Sequence, residues 1–443
     1  MRFRFLVAAF GLATVVACGG GGGGTGGGSA PPTNHDDRPS ETGDSFSYAG
    51  TTTTAFVRPP QTSGAIPSPN PANTETLSYT TTQSQSVATA QAYNGDSAAT
   101  AFTTNETDTL SGGLQTTTTT STEYYSFGSG GVGPVHDLGG TMSTTGETVT
   151  TLIGPNNGLI DVLPEAAGTL PVVADATLMR TETDADGGGS TRTTAANGTY
   201  TENDTFADTS FDGSTMTAAA NADGSGSLSF PIAEPTNATF VVGAPSASTI
   251  PITVTFPAAL GQAAPNATAT PIVEATSVAV WYPQPIALST QTLVDEGQAS
   301  IPSSCNVASS LTSAQSNLLI ASSTTVDPVF GELDHRTTSQ FIEPGIGVAC
   351  VQLSDVLQQF YDFSGQSGAY VQVDASPVQT TTTTQTLGLT SETVIGLDAS
   401  ARAPIAAASR ARFDALLERR RQERHASAIR QLRAFAITKR GVR

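Results

Sequence analysis

At 443 residues the chain has room for one large or two ordinary domains. Only 37% of it is hydrophobic and 13% charged, which excludes a conventional helical bundle and the highly charged class of disordered chain; threonine, serine, glycine and alanine make up the difference and favour β-structure with a wet surface. The formal net charge of −19 excludes nucleic acid or an anionic polysaccharide as a partner drawn by the chain's overall field.

Residues 1–18 read MRFRFLVAAFGLATVVAC. Arg2 and Arg4 precede an apolar run from Phe5 to Val16, too short for a membrane span of about 20 residues but suited to a signal peptide. Its end, Val15-Val16-Ala17-Cys18, resembles the lipobox of bacterial lipoproteins. That resemblance implies export, cleavage after residue 17, and diacylglycerol and palmitate on Cys18. An ordinary cleavage that leaves Cys18 as a plain thiol is the alternative. Residues 18–44 form a glycine-rich tether, since side-chain-free glycine cannot bury apolar surface. Gly19 after the cysteine resembles lipoproteins sorted to the outer membrane rather than retained at the inner one.

From 45 to 285 short alternating runs are broken by turn dipeptides, the signature of hairpins. Asn94-Gly95, Asn157-Gly158, Asn197-Gly198, Asp212-Gly213 and Asp223-Gly224 all tolerate φ > 0. The expected fold is mainly β: a large antiparallel meander, arranged as a half-barrel or sandwich, with a C-terminal basic α-helix. A polar strand, an aromatic, a glycine turn and a return strand occur twice, at Thr118–Gly133 and Thr337–Val348. This resembles hairpins of large open-sheet envelope lipoproteins, including half-barrels that carry other lipoproteins. Trp281 and Tyr282 should end a strand in the core. Residues 286–400 read as a second β-rich region packed on the first, with short helices at Ala308–Ile320 and Ser354–Tyr361.

Once Cys18 is lipidated, Cys305 and Cys350 are the remaining cysteines. In an oxidising compartment an isolated pair is most simply a disulfide, and closing a loop of about 45 residues stabilises by roughly 4 kcal/mol on the chain-entropy model. Two buried thiols are the alternative. Metal candidates are sparse. Glu202, Asp204, Asp208 and Asp212 share one face of an extended segment, and Asp184-Ala185-Asp186-Gly187 resembles the start of a calcium loop but lacks its closing glutamate, since residue 195 is Ala195. No cofactor is implied. His136-Asp137 and Asp334-His335-Arg336 are the acid–base constellations, yet no serine elbow accompanies either, so no catalytic residue is assigned.

Residues 401–443 hold twelve basic and three acidic side chains, a net +9, against −30 for 18–400. Phe413, Leu416 and Leu417, then Ala428, Ile429, Leu432 and Phe435, sit at helical spacing around a basic middle. Arg419, Arg420, Arg421, Arg424, Arg430 and Arg433 are therefore candidates for contact with anionic lipid or with the acidic body. The functional expectation is an envelope lipoprotein, held to membrane through Cys18, with a non-enzymatic binding or structural role. An envelope hydrolase and a surface adhesin-like module are the alternatives.

Overall fold

The computed structural model describes residues 43–59, 73–113, 115–127, 135–144, 147–153, 159–160, 168–171, 178–183, 187–195, 197–207, 213–233, 236–256, 272–283, 285–311, 316–343, 347–362, 372–373 and 376–393. The expected signal peptide, Cys18, the expected tether up to residue 42, and the tail from 401 onward lie outside them.

The strands in chain order are β1 (Ser45–Arg58), β2 (Asn73–Tyr93), β3 (Asp96–Leu110), β4 (Thr116–Phe127), β5 (Val135–Thr144), β6 (Glu147–Ile153), β7 (Leu159–Ile160) and β8 (Gly168–Pro171). Then come β9 (Leu178–Thr183), β10 (Gly189–Thr194), β11 (Tyr200–Thr205), β12 (Thr215–Ala220), β13 (Gly226–Ala233), β14 (Thr236–Val242), β15 (Thr249–Phe256) and β16 (Ile272–Ala279). The chain continues with β17 (Ser289–Ala299), a 3-10 turn (Ser309–Leu311), β18 (Ser316–Asp327), β19 (Glu332–Glu343), β20 (Gly347–Gln359), β21 (Tyr361–Asp362), β22 (Gln372–Val373) and β23 (Gln379–Thr393).

All but β21 and β22 join one antiparallel sheet of 21 strands. Its spatial order runs from β16 back through β15 to β9, then β6, β5, β4, β3, β2, β1, β23, β20, β19, β18, β17 and β8, with β7 beside one end of β5. Strands before and after residue 285 therefore share one sheet, through β1–β23 and β8–β17. Among the described residues β8 and β16 each pair on one side only, so the sheet is open. No described helix is long and apolar enough to cross a membrane.

Of the five turn dipeptides, Asn94-Gly95, Asn197-Gly198 and Asp223-Gly224 turn the chain as expected, while Asn157, Gly158 and Asp212 lie outside the described residues. Asn94 (φ 45) and Gly95 (φ 87) turn β2 into β3, both central residues adopting the positive φ that a type I′ turn requires. The strands of both echoed segments pair, as β4–β5 and β19–β20, the glycine turns between them lying outside the described residues at 128–134 and 344–346. Each has a register shift next to its aromatic, at Tyr124/Tyr125 and Phe341/Ile342. The helix expected at Ser354–Tyr361 is instead the end of β20 and the start of β21. Val351, Leu353, Asp355 and Leu357 are buried at period two, and the inward Asp355 hides that period from a hydrophobicity reading. The helix expected at Ala308–Ile320 reduces to the 3-10 turn followed by β18.

The two faces of the sheet are unusual in both being polar over much of their extent. One cross-strand row on the solvent side runs Ser86, Thr103, Thr122, Thr141, Thr150, Thr181, Thr191, Asn203 and Thr217, from β2 to β12. The β-branched threonine backbone suits extended structure, and opposed hydroxyls bond across strands, as Thr103 and Thr122 do at 3.1 Å. An inward row runs Phe102, Glu123, Gly140, Thr151, Arg180, Arg192, Glu202, Ala218, Leu228 and Phe240. It passes from charged to apolar between β11 and β12.

Two large apolar clusters pack against the sheet among the described residues. One joins β11–β15 to Trp281, Tyr282, the β18–β19 turn, Phe360 and Tyr361, so Trp281 and Tyr282 do enter the core. The other packs Phe46, Tyr48, Leu319, Val351, Leu387 and Leu389, and the Tyr48 hydroxyl donates to the Val348 carbonyl at 3.0 Å. Cys305 and Cys350 form the disulfide, with Cα atoms 5.8 Å apart. It ties the segment after β17 onto Phe341 and β20.

Candidate functional site

The chemistry of the described chain is concentrated on its inner face. Eleven carboxylate residues are buried, against three arginines, Arg180, Arg192 and Arg336. Much of the acidic charge is thus turned inward, which the composition alone does not reveal.

Two strand-neighbour rows build the main cluster. Arg180 of β9 stands opposite Arg192 of β10, and Arg192 stands opposite Glu202 of β11. In the next row Glu182, Ser190 and Asp204 stand opposite one another. Arg180 pairs with Glu182 along its own strand. Arg192 reaches Glu202 at 3.6 Å and, from the far side, Asp327 at 3.9 Å, while its guanidinium carbon lies 3.5 Å over the Tyr200 ring. The Tyr200 hydroxyl lies 2.9 Å from both oxygens of Asp327. Asp327 also accepts the backbone N–H groups of Val329 and Phe330 at 3.1 Å, closing the β18–β19 turn.

Burial governs the protonation of this cluster. Desolvation raises Glu202 to about 7 against the pull of Arg192 and Arg180. It raises Asp204 to about 9, reinforced by Glu202 and Glu182. Asp327 and Tyr200 are also raised, by burial first. A second group continues along β19 and β20, where Arg336 lies 3.6 Å from Asp355. Asp334 is raised well above the ordinary carboxylate value, by burial first and then by the neighbouring Asp355 carboxylate.

A third polar group crosses β23, β1, β2 and β3. Gln385 donates to Thr52 at 3.0 Å, Thr52 and Thr81 are 2.8 Å apart, and Thr81 donates to Asp108 at 2.5 Å. Each hydroxyl has one proton, so the Thr81 proton on Asp108 makes Thr52 the donor to Thr81. Burial raises Asp108 and the Thr81 bond opposes that shift.

Of the metal candidates, Glu202 and Asp204 face inward within the ionic cluster, while Asp184, Asp186, Asp208 and Asp212 lie outside the described residues. No group of three or more His, Cys, Asp or Glu among the described residues could hold a metal ion. The Asp334-His335-Arg336 triplet is split by strand alternation. His335 is exposed, with Nδ1 3.1 Å from the Thr324 hydroxyl, whereas Asp334 and Arg336 are buried on the opposite face. His136 and Asp137 lie on β5 beside Ser126 and Tyr125 of β4.

The inward arginines were missed by sequence reading. Their signal was present as charge at period two: Arg180-x-Glu182 and Asp334-x-Arg336 put opposite charges on one strand face. No family model, curated protein or solved structure matches this chain.

Proposed function

We propose that the chain is a lipid-anchored protein of the bacterial envelope, outer membrane rather than inner, whose sheet has a non-enzymatic structural or adhesive role. The observation that carries the anchoring is Val15-Val16-Ala17-Cys18 closing a short apolar run and opening a glycine tether. Two acyl chains suffice for stable attachment where one is marginal. The outward hydroxyl rows support a wet, surface-facing role for the body, since strands that face lipid need an outward apolar band. The same rows favour adhesion or scaffolding over carriage of an apolar ligand. A sheet that buries one face against its own turns supports a half-barrel-like curl.

The inward placement of eleven carboxylates bears on the basic tail. Charge sequestered on the inner face screens poorly as a docking surface, so anionic lipid is the better partner for Arg419, Arg420, Arg421, Arg424, Arg430 and Arg433.

The test is radiolabelled palmitate feeding followed by membrane fractionation. The wild type should take up label and sediment with outer membrane, and Cys18→Ser should do neither. Equal membrane retention of Cys18→Ser would remove the anchoring proposal.

A further inference from the structure

We propose that the contact between β9–β11 and the β18–β19 turn is a proton-dependent latch, which closes with surplus carboxyl groups protonated and loosens as alkali ionises them.

The contact buries two guanidiniums, Arg180 and Arg192, with four carboxyl groups, Glu182, Glu202, Asp204 and Asp327. Arginine does not lose its proton in proteins. Full ionisation therefore leaves two net negative charges out of water, and an uncompensated buried charge is strongly unfavourable. No metal-binding group among the described residues supplies the compensation. Protons on two of the carboxyl groups do.

Geometry indicates where the first proton sits. Asp327 accepts from the Tyr200 hydroxyl and two backbone N–H groups, donors that suit an anion. Glu182 has Arg180, and Glu202 has Arg192. Asp204 lies across from Ser190 and Met216. Its Oδ1 and the Ser190 hydroxyl are both buried with no hydrogen-bond partner among the described residues. A protonated Asp204 needs no counter-charge there. The other groups facing the contact do not relieve it: β6 brings Val149 and Thr151, β12 brings Met216 and Ala218, and β19 brings Glu332 opposite Asp327, a further carboxylate. Tyr361, which packs in the same core, feels Asp327 as a further negative charge. The raised values of Glu202 and Asp204, about 7 and about 9, agree with this count.

The direction of the pH effect follows. The native state holds protons that the unfolded state, with carboxyl groups near 4, releases. The contribution of these retained protons to stability is therefore full near the unfolded value of about 4 and is lost as pH rises toward 9, by about tenfold in the folding equilibrium constant per pH unit for each proton held. Trp281, the single tryptophan, packs in the core that the turn completes and stacks on Phe360 at 4.7 Å, so its fluorescence reports the latch.

The experiment is urea unfolding of the full chain, followed by Trp281 fluorescence at pH 6 and pH 9.5. The wild-type midpoint should fall across this range, and Asp204→Asn should flatten the fall and exceed the wild type at pH 9.5. Asp223→Asn, in an exposed turn, should track the wild type. Unfolding of the wild type in weak buffer at pH 7.5 should also release protons to an indicator dye, a readout that stands even where Asp204→Asn does not fold. A pH-independent midpoint, a parallel fall in Asp204→Asn, or unfolding without proton release would each overturn the latch.

Discussion

The carbonyl oxygen of Cys305 lies 2.2 Å from where a Cβ on Gly388 would sit. The disulfide-tethered segment is thus seated against bare backbone of β23, directly beside Cys350, which stands opposite Gly388 in the β20–β23 register. The next anchor is the Ala308 N–H, donated to the Leu389 carbonyl at 2.9 Å. A disulfide, a glycine and a backbone hydrogen bond together hold the tethered segment on the sheet.

Gly388→Val should therefore destabilise the fold by about 1–3 kcal/mol, the cost of overpacking a filled site. The obstructing atoms are backbone, which cannot rotate away. Thermal melting checks this, and a variant that melts with the wild type would show that the segment shifts at no cost.

Cys305→Ser combined with Cys350→Ser should lower stability by roughly 4 kcal/mol, the loop-closure value for this separation. Urea unfolding measures the loss. Neither thiol of the native chain should react with an alkylating agent before reduction, and mass spectrometry reads that directly.

Tyr200→Phe removes the hydroxyl that lies 2.9 Å from both Asp327 oxygens and leaves a buried carboxylate short of a donor. The expected loss is about 1–3 kcal/mol in denaturant midpoint at pH 7. Unchanged stability would mean that the turn N–H groups and Arg192 satisfy Asp327 alone.

Asp108→Asn keeps an acceptor for the Thr81 hydroxyl but does not titrate. Because burial raises Asp108 in the folded state, its proton is held more tightly there than in the unfolded chain, where the value is about 3.9. The wild type therefore loses stability as pH rises above that point. The variant should gain on the wild type between pH 4 and pH 7 in paired unfolding experiments. A gain on acidification instead would reverse the sign of the argument.

Replacing Arg419, Arg420, Arg421 and Arg424 with glutamine in a Cys18→Ser chain should cut its sedimentation with anionic vesicles. At roughly 1 kcal/mol per arginine near a charged surface, the affinity loss should be at least about tenfold, and neutral vesicles should bind neither protein. Equal sedimentation would direct attention to contact between the tail and the body.

Local physical chemistry made the strands and turns legible in the sequence. Period-two alternation in threonine-rich segments and the Asn-Gly and Asp-Gly pairs depend on neighbours a few residues apart, and Asn94-Gly95 and Asp223-Gly224 turn the chain as read. The cysteine pairing followed from number alone. Tertiary structure decided which strands became neighbours over long separations, such as β1 with β23 and β17 with β8, because the backbone hydrogen bonds that join them carry no side-chain code. It also decided which face was inside. Where one face carries threonine and the other carries Arg180, Arg192 and Glu202, hydrophobicity does not choose between them. That choice fell to distant residues: Asp327 arriving from the β18–β19 turn, and the apolar core of β11–β15 continuing from the same row.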